Sequence, residues 1–154
     1  MKELPQNLKV VLQDVGEQKA LLMLSLYLIK EELDDWSVFR NYLDDGCDLL
    51  LLGRGRKIKL EVKTRQSILV SKHSGKQVQF TVTKKERECA EFVLAYWLDR
   101  GAFFVVPTSD LTPTSSNGTP LFKFIARYSS LDDDYTDSCR HYYEDWERIL
   151  DVLS

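Results

Sequence analysis

Histidine and cysteine are scarce in this chain, with two and three residues respectively in 154. Cys47, Cys89 and Cys139 are odd in number and far apart in sequence, with no CxxC pair and no histidine cluster. That pattern excludes a disulfide framework and a zinc-ribbon motif, and reduced, mostly buried thiols are expected. His73 stands alone in a polar turn, where a solvated imidazole is expected rather than a general base. Long apolar runs are missing too: the longest, Ala20 to Ile29, is broken by Ser25 and is too short to span a bilayer. The N-terminus lacks the basic, apolar and small-residue succession of a secretory signal, so a cytoplasmic protein with no membrane partner is expected. There is no internal repeat. Positive charge is not in excess either, since 21 Lys and Arg face 24 Asp and Glu for a net charge of −3, a balance that opposes a nucleic-acid ligand unless the charge is unevenly placed.

It is unevenly placed. From Gly53 to Arg87 there are eleven Lys and Arg against Glu61 and Glu86, a local charge of +9. A basic face of this kind suits a phosphate backbone, because Lys and Arg displace condensed counterions and position the strand. Arg54, Arg56, Arg65, Lys72, Lys76, Lys84 and Lys85 are the candidate DNA contacts, with at least half of the block expected to serve solvation alone. An apolar content of 44% in 154 residues supplies a sizeable core. A single domain over residues 1–154 is expected, with its core at about 14–106 and a C-terminal extension at about 107–154.

Asp14-Val15-Gly16-Glu17 reads as a capping box opening a helix to about Leu33, with an apolar face of Leu21, Leu22, Leu24, Leu28 and Ile29. Val38 to Leu43 reads as a short strand and Asp44-Asp45-Gly46 as a turn. Gln66 to Val70 and Gln77 to Val82 read as extended segments joined at His73-Ser74-Gly75-Lys76, a basic tip able to reach over a DNA groove. Thr83-Lys84-Lys85-Glu86 repeats the capping box and predicts a helix to about Arg100, stopped by Gly101, with Phe92, Val93, Tyr96 and Trp97 as its apolar stripe. Ala102 to Val106 suits a strand buried on both faces. Pro107 to Pro120 reads as the longest irregular segment, and Leu121 to Ala126 as a further strand. Asp132-Asp133-Asp134 lacks calcium-loop spacing and reads as a turn and helix start. Cys139 to Leu153, with Tyr142, Tyr143, Trp146, Ile149 and Leu150, reads as a helix that packs on the core or on another subunit.

The chemistry concentrates between Asp48 and Lys63. Asp48 opens the apolar run Leu49 to Leu52, Gly53-Arg54-Gly55-Arg56 reads as a turn, and Lys57 to Lys63 alternates charged and apolar residues as a half-buried strand does. In the resulting hairpin Ile58, Leu60 and Val62 share one face, while Lys57, Lys59, Glu61 and Lys63 share the other. With Asp48 near the end of the neighbouring strand, two carboxylates and one ammonium meet at one sheet edge, a set suited to Mg²⁺ and an activated water.

Asp48 followed by Glu61-Val62-Lys63 resembles the PD-(D/E)XK nuclease superfamily, the restriction-endonuclease-like fold that includes Holliday junction resolvases and small homing endonucleases. Cys47 stands where the usual proline would precede the aspartate. The resemblance implies an α/β architecture with an αβββαβ core, a mixed central sheet flanked by helices, and an added C-terminal strand and helix. It implies that Asp48, Glu61 and the Val62 carbonyl hold Mg²⁺ (or Mn²⁺), with Glu17 joining from the first helix. Lys63 would position or activate water, and Gln66 would complete the catalytic set. The expected activity is a metal-dependent endonuclease acting on DNA, as a homo-oligomer (dimer or higher). The alternative is a catalytically inactive DNA- or protein-binding module of the same fold.

Overall fold

In the computed structural model, residue 5 and residues 8–43, 45–66 and 75–154 are described. Two sheets are stacked. The larger runs in the order β1-β2-β3-β5-β6, from Trp36–Arg40 (β1), Leu49–Gly53 (β2), Arg56–Arg65 (β3), Phe92–Trp97 (β5) and Ala102–Pro107 (β6). It is mixed: β3 and β5 are parallel, and the other pairs are antiparallel. The smaller sheet runs β4-β8-β7, from Gly75–Thr83 (β4), Thr119–Ser129 (β8) and Thr112–Ser116 (β7), and a two-residue β9, Asp134–Tyr135, pairs with β8. Helix α1, Lys9–Lys30, packs on the larger sheet together with the C-terminal α4, Glu147–Leu153. Among the described residues no helix is long and apolar enough to cross a membrane.

β5 explains the layering. All six of its residues are buried, and strand alternation sends Phe92, Leu94 and Tyr96 into the core shared with α1 and α4. Val93, Ala95 and Trp97 enter the core shared with the smaller sheet. This segment was expected to be helical, because four apolar residues at positions 92, 93, 96 and 97 satisfy a helical stripe. A strand covered on both faces produces the same pattern, and the capping box at Thr83 starts only the six-residue α2, Lys84–Cys89. Thr83 Oγ1 accepts from the Glu86 N–H at 3.1 Å while Glu86 Oε1 accepts from the Thr83 N–H at 2.8 Å.

Five other expectations are corrected. α1 begins at Lys9, so Asp14 lies inside the helix, bonded to Arg40 Nη1 at 2.9 Å and to Gln18 Nε2 at 3.0 Å, and caps nothing. Its core face is Gly16, Ala20, Leu24 and Leu28, whereas Leu22 and Ile29 face solvent. Residues 107–120 are not irregular: after a short 3₁₀ turn, β7 pairs with β8 through a tight hairpin at Asn117-Gly118. The acidic run at 132–134 leads into β9 and not into a helix, and the expected C-terminal helix is split into α3, Asp137–Arg140, and α4. Between them Tyr143 bridges to Phe104 of β6.

Candidate active site

The last β2-β3 ladder pair is Leu49 with Leu60, so β3 continues from residue 61 to 65 past the end of β2 while still pairing with β5 on its other side. In an antiparallel ladder a residue's N–H and C=O point to the same neighbour. Those of Val62 therefore face the position β2 has vacated. The Asp48 backbone turns there, its N–H donating to the Leu60 carbonyl at 2.9 Å and its carbonyl accepting from the Asn41 N–H at 2.8 Å. Its carboxylate Oδ2 then accepts from the Val62 N–H at 2.8 Å. The Val62 carbonyl accepts from Gln13 Nε2 of α1 at 2.6 Å.

Glu61 and Lys63 project to the opposite face of β3 from Val62. Glu61 is only 4% exposed. Burial first, then the adjacent Asp48 carboxylate, push its pKa from 4.5 up to about 10, with Lys63 opposing. Lys63 Nζ lies 3.4 Å from Glu61 Oε1 and 2.9 Å from Glu86 Oε2. Burial works against the Lys63 charge, but Glu61 and Glu86 outweigh it and raise the pKa. Lys63 is thus an ammonium. Burial likewise opposes ionisation of Glu86, yet the Thr83 N–H and Lys63 hold it below the usual carboxylate range. Glu17 approaches Asp48 from α1, and burial followed by the Asp48 and Asp14 charges lifts it to about 7 against the pull of Arg40.

The structure therefore brings Asp48, Glu61, Lys63, the Val62 backbone and Glu17 to one sheet edge, with Asp48 as the common partner of both glutamates. Asp48, Glu61 and Glu86 line a cleft of about 360 Å³ together with Asn41, Tyr42, Leu43, Gly46 and Cys47. Gln66 follows directly on β3 and is half-buried. Two members escaped the sequence reading. Gln13 lies four residues before Glu17, hence on the same helical face, and Glu86 was read as a capping residue only.

The basic block divides. Arg65 shares the Glu61 and Lys63 face of β3, and Lys84 and Lys85 are exposed on the first turn of α2, beside Glu86. Lys84 also pairs loosely with Glu88 at 3.8 Å. Arg54 and Arg56 sit at the other end of the β2-β3 hairpin, roughly 20 Å along the strand from the site. There Arg54 is paired with Asp35 and bonds the Leu153 carbonyl at 3.1 Å, and Arg56 lies over the Trp36 ring. Lys76 is exposed near the start of β4, similarly remote from the α2 end. Residues 67–74, which include Lys72, His73 and all but the first residue of the expected extended segment Gln66 to Val70, lie outside the described residues, while Gly75 and Lys76 of the expected tip begin β4.

Sequence separation concealed a thiol cluster. Cys47 and Cys89 meet Asp45 with their ligand atoms within 4.8 Å of one another. Lys59 Nζ stands 3.1 Å from Asp45 Oδ2 and 3.5 Å from Cys89 Sγ, so an ammonium already supplies the positive charge there. Burial pushes the Cys47 thiol up to about 12.

No family model and no curated protein matches the sequence. Among solved structures, a bacterial homing endonuclease, I-Ssp6803I, is similar with a TM-score of 0.57 and 19% identity, covering 94% of this chain and 93% of that one. The Holliday junction resolvase Hjc of Archaeoglobus fulgidus, an archaeal hyperthermophile, is more distant, with a TM-score of 0.45, 17% identity and coverage of 73% of this chain and 82% of that one. With its mixed five-stranded sheet, its α1 cover and this likeness over nearly the whole length, the chain has a restriction-endonuclease-like fold.

Proposed function

We propose that the protein is a divalent-metal-dependent deoxyribonuclease that hydrolyses phosphodiester bonds in DNA. One observation carries the reading: the neighbouring carboxyls of Asp48 and the buried Glu61 line an open cleft, with the Lys63 ammonium 3.4 Å from Glu61. Asp48, Glu61 and the Val62 carbonyl form an all-oxygen donor set, which fits a hard cation such as Mg²⁺ or Mn²⁺, and Glu17 adds a further carboxylate next to Asp48. A cation there would offset the crowding of carboxyls that raises the Glu61 pKa. When bound, it supplies charge that offsets the negative charge building on the scissile phosphate and acidifies a water.

The chain's own groups divide the remaining work. Lys63 is held as an ammonium, so it donates to a phosphate oxygen or to the incoming water and does not abstract a proton. Glu86, fixed by the capping box through one oxygen, aims Lys63 with the other. Arg65, Lys84 and Lys85 flank the cleft where a phosphate backbone would pass. The exposed apolar stripe of α1, Leu22, Leu26 and Ile29, supports self-association, so that two sites could act on two strands.

The alternative of a non-cleaving binding module has one observation in its favour: Gln13 occupies the Val62 carbonyl that a metal would use. Incubation with plasmid, linear and branched DNA in Mg²⁺ or Mn²⁺ separates the two readings. Cutting that stops with EDTA and is missing from Asp48→Asn purified in parallel supports the nuclease. A folded protein that binds DNA and Mn²⁺ but cuts none of the three substrates refutes it.

A further inference from the structure

The β7-β8 hairpin projects from the body. β4 pairs with β8 only as far as Thr83 with Leu121, whereas β7 and β8 continue pairing through Ser115 with Pro120 and Ser116 with Thr119. All residues from 115 to 120 are exposed, so this piece is a two-stranded ribbon open on both faces. Asn117 and Gly118 close it with φ of 51° and 80°, the left-handed pair of a type I′ turn, which matches strand twist and keeps the ribbon rigid.

Its direction is set by the register. β8 is antiparallel to β4, so the overhang extends beyond Thr83, the residue that caps α2 and so positions Glu86 against Lys63. Arg87 of α2 lies over the Phe122 ring, 4.4 Å from its centroid, which ties the ribbon's base to the same helix. The ribbon thus leaves the molecule at the end that carries the cleft.

Its composition is unlike the rest of the chain. The twelve residues from Leu111 to Phe122 carry no charge in a chain that is 29% charged, and β4, β7 and β8 contain no Asp or Glu at all. Thr112, Thr114, Ser116 and Thr119 share one face with Lys123, and Gln77, Gln79 and Arg127 continue that face across the sheet. Hydroxyls, amides and cations without carboxylates are the groups that read base edges and tolerate phosphate proximity, and the major groove admits a two-stranded ribbon.

We propose that the β7-β8 ribbon enters the major groove of duplex DNA and reads base edges through Thr114, Ser116 and Thr119. This rests on the nuclease reading for its ligand and adds to it a sequence preference. A pool of duplexes with a randomised core, sorted into bound and free fractions in Ca²⁺ and sequenced, tests it on the full chain. Parent protein should enrich a motif. Thr114→Ala/Ser116→Ala/Thr119→Ala, shown to be folded by its melting curve, should lose preference at adjacent positions by roughly tenfold while keeping the rest of the motif. The same motif from both proteins overturns the proposal, as does a uniform loss of affinity, which would make the ribbon a backbone clamp or mark this face for a protein partner. A parent that cuts DNA without enriching any motif also overturns it and leaves the nuclease reading standing. A parent that neither binds nor cuts DNA sinks both.

Discussion

Glu61→Gln should make the metal-free protein more stable at alkaline pH while removing its metal affinity. The unfolded chain releases the Glu61 proton near the ordinary glutamate value of 4.5, whereas in the folded protein its pKa is raised to about 10. Between those values the folded state binds one more proton than the unfolded state, so stability falls as pH rises, by at most about 1.4 kcal/mol per unit. Structural relaxation and the coupling to Lys63 reduce that limit, and a loss of roughly 2 to 3 kcal/mol between pH 5.5 and 8 is expected. Gln has nearly the shape of the protonated acid, still donates to Asp48, and cannot titrate. Its pH profile should therefore lack this slope. Glu17 contributes in the same direction up to about pH 7 in both proteins and largely cancels in the difference.

Urea unfolding in EDTA reads this directly, because Trp36, Trp97 and Trp146 are all buried and change fluorescence on exposure. Adding Mg²⁺ at pH 8 should reverse the order, since only the parent gains stability from binding a ligand in its folded state. Parallel pH profiles for the two proteins would refute the reasoning. Glu61 would then be ionised without metal and paired with Lys63 as an ordinary buried salt bridge.

Lys63→Ala should lower cleavage by about 10² to 10³ while DNA affinity is largely kept, as expected for a single donor to a developing charge; cutting at the parental rate would mean the residue has another role. Gly16→Ala places a Cβ 1.8 Å from Thr64 Oγ1 and 3.1 Å from Thr64 Cβ, so Thr64 must change rotamer and α1 and β3 must ease apart slightly. A destabilisation of about 1 to 3 kcal/mol is expected in thermal melts, and Thr64→Ala in the same chain should recover part of it. Neutralising Arg65, Lys84 and Lys85 together should flatten the slope of log affinity against log salt by roughly one unit per lost phosphate contact. Arg54→Gln with Arg56→Gln, at the far end of the hairpin, should leave that slope unchanged.

The parts of the site that sequence reveals are those built by strand alternation and one short turn. Lys57 to Lys63 alternates, Arg54-Gly55 turns, and the register that follows puts Asp48 beside Glu61 with little freedom left. β5 escaped because its environment, not its own pattern, makes it a strand: Phe92 to Trp97 is apolar throughout, and only a second sheet on its far side distinguishes a doubly covered strand from a helix. Two strands of the smaller sheet, β4 and β8, were expected from their pattern, but β7 was hidden because it is made of Thr, Pro and Ser, residues that read as loop until β8 pairs with them.

Glu86 marks the boundary between what local pattern can and cannot reveal. Its Oε1 obeys a local rule, the capping box with Thr83 three residues before it, and that rule was legible. Its Oε2 meets Lys63, 23 residues away, because β4 returns the chain to the edge of β3 before α2 begins. A carboxylate has two oxygens, and satisfying one from nearby sequence leaves the other available to any partner that the fold brings in. The same holds for Gln13 on Val62 and for Cys47 beside Cys89: each side chain has an unremarkable local setting, and its contact exists only because two segments distant in sequence are held against the same strand or turn.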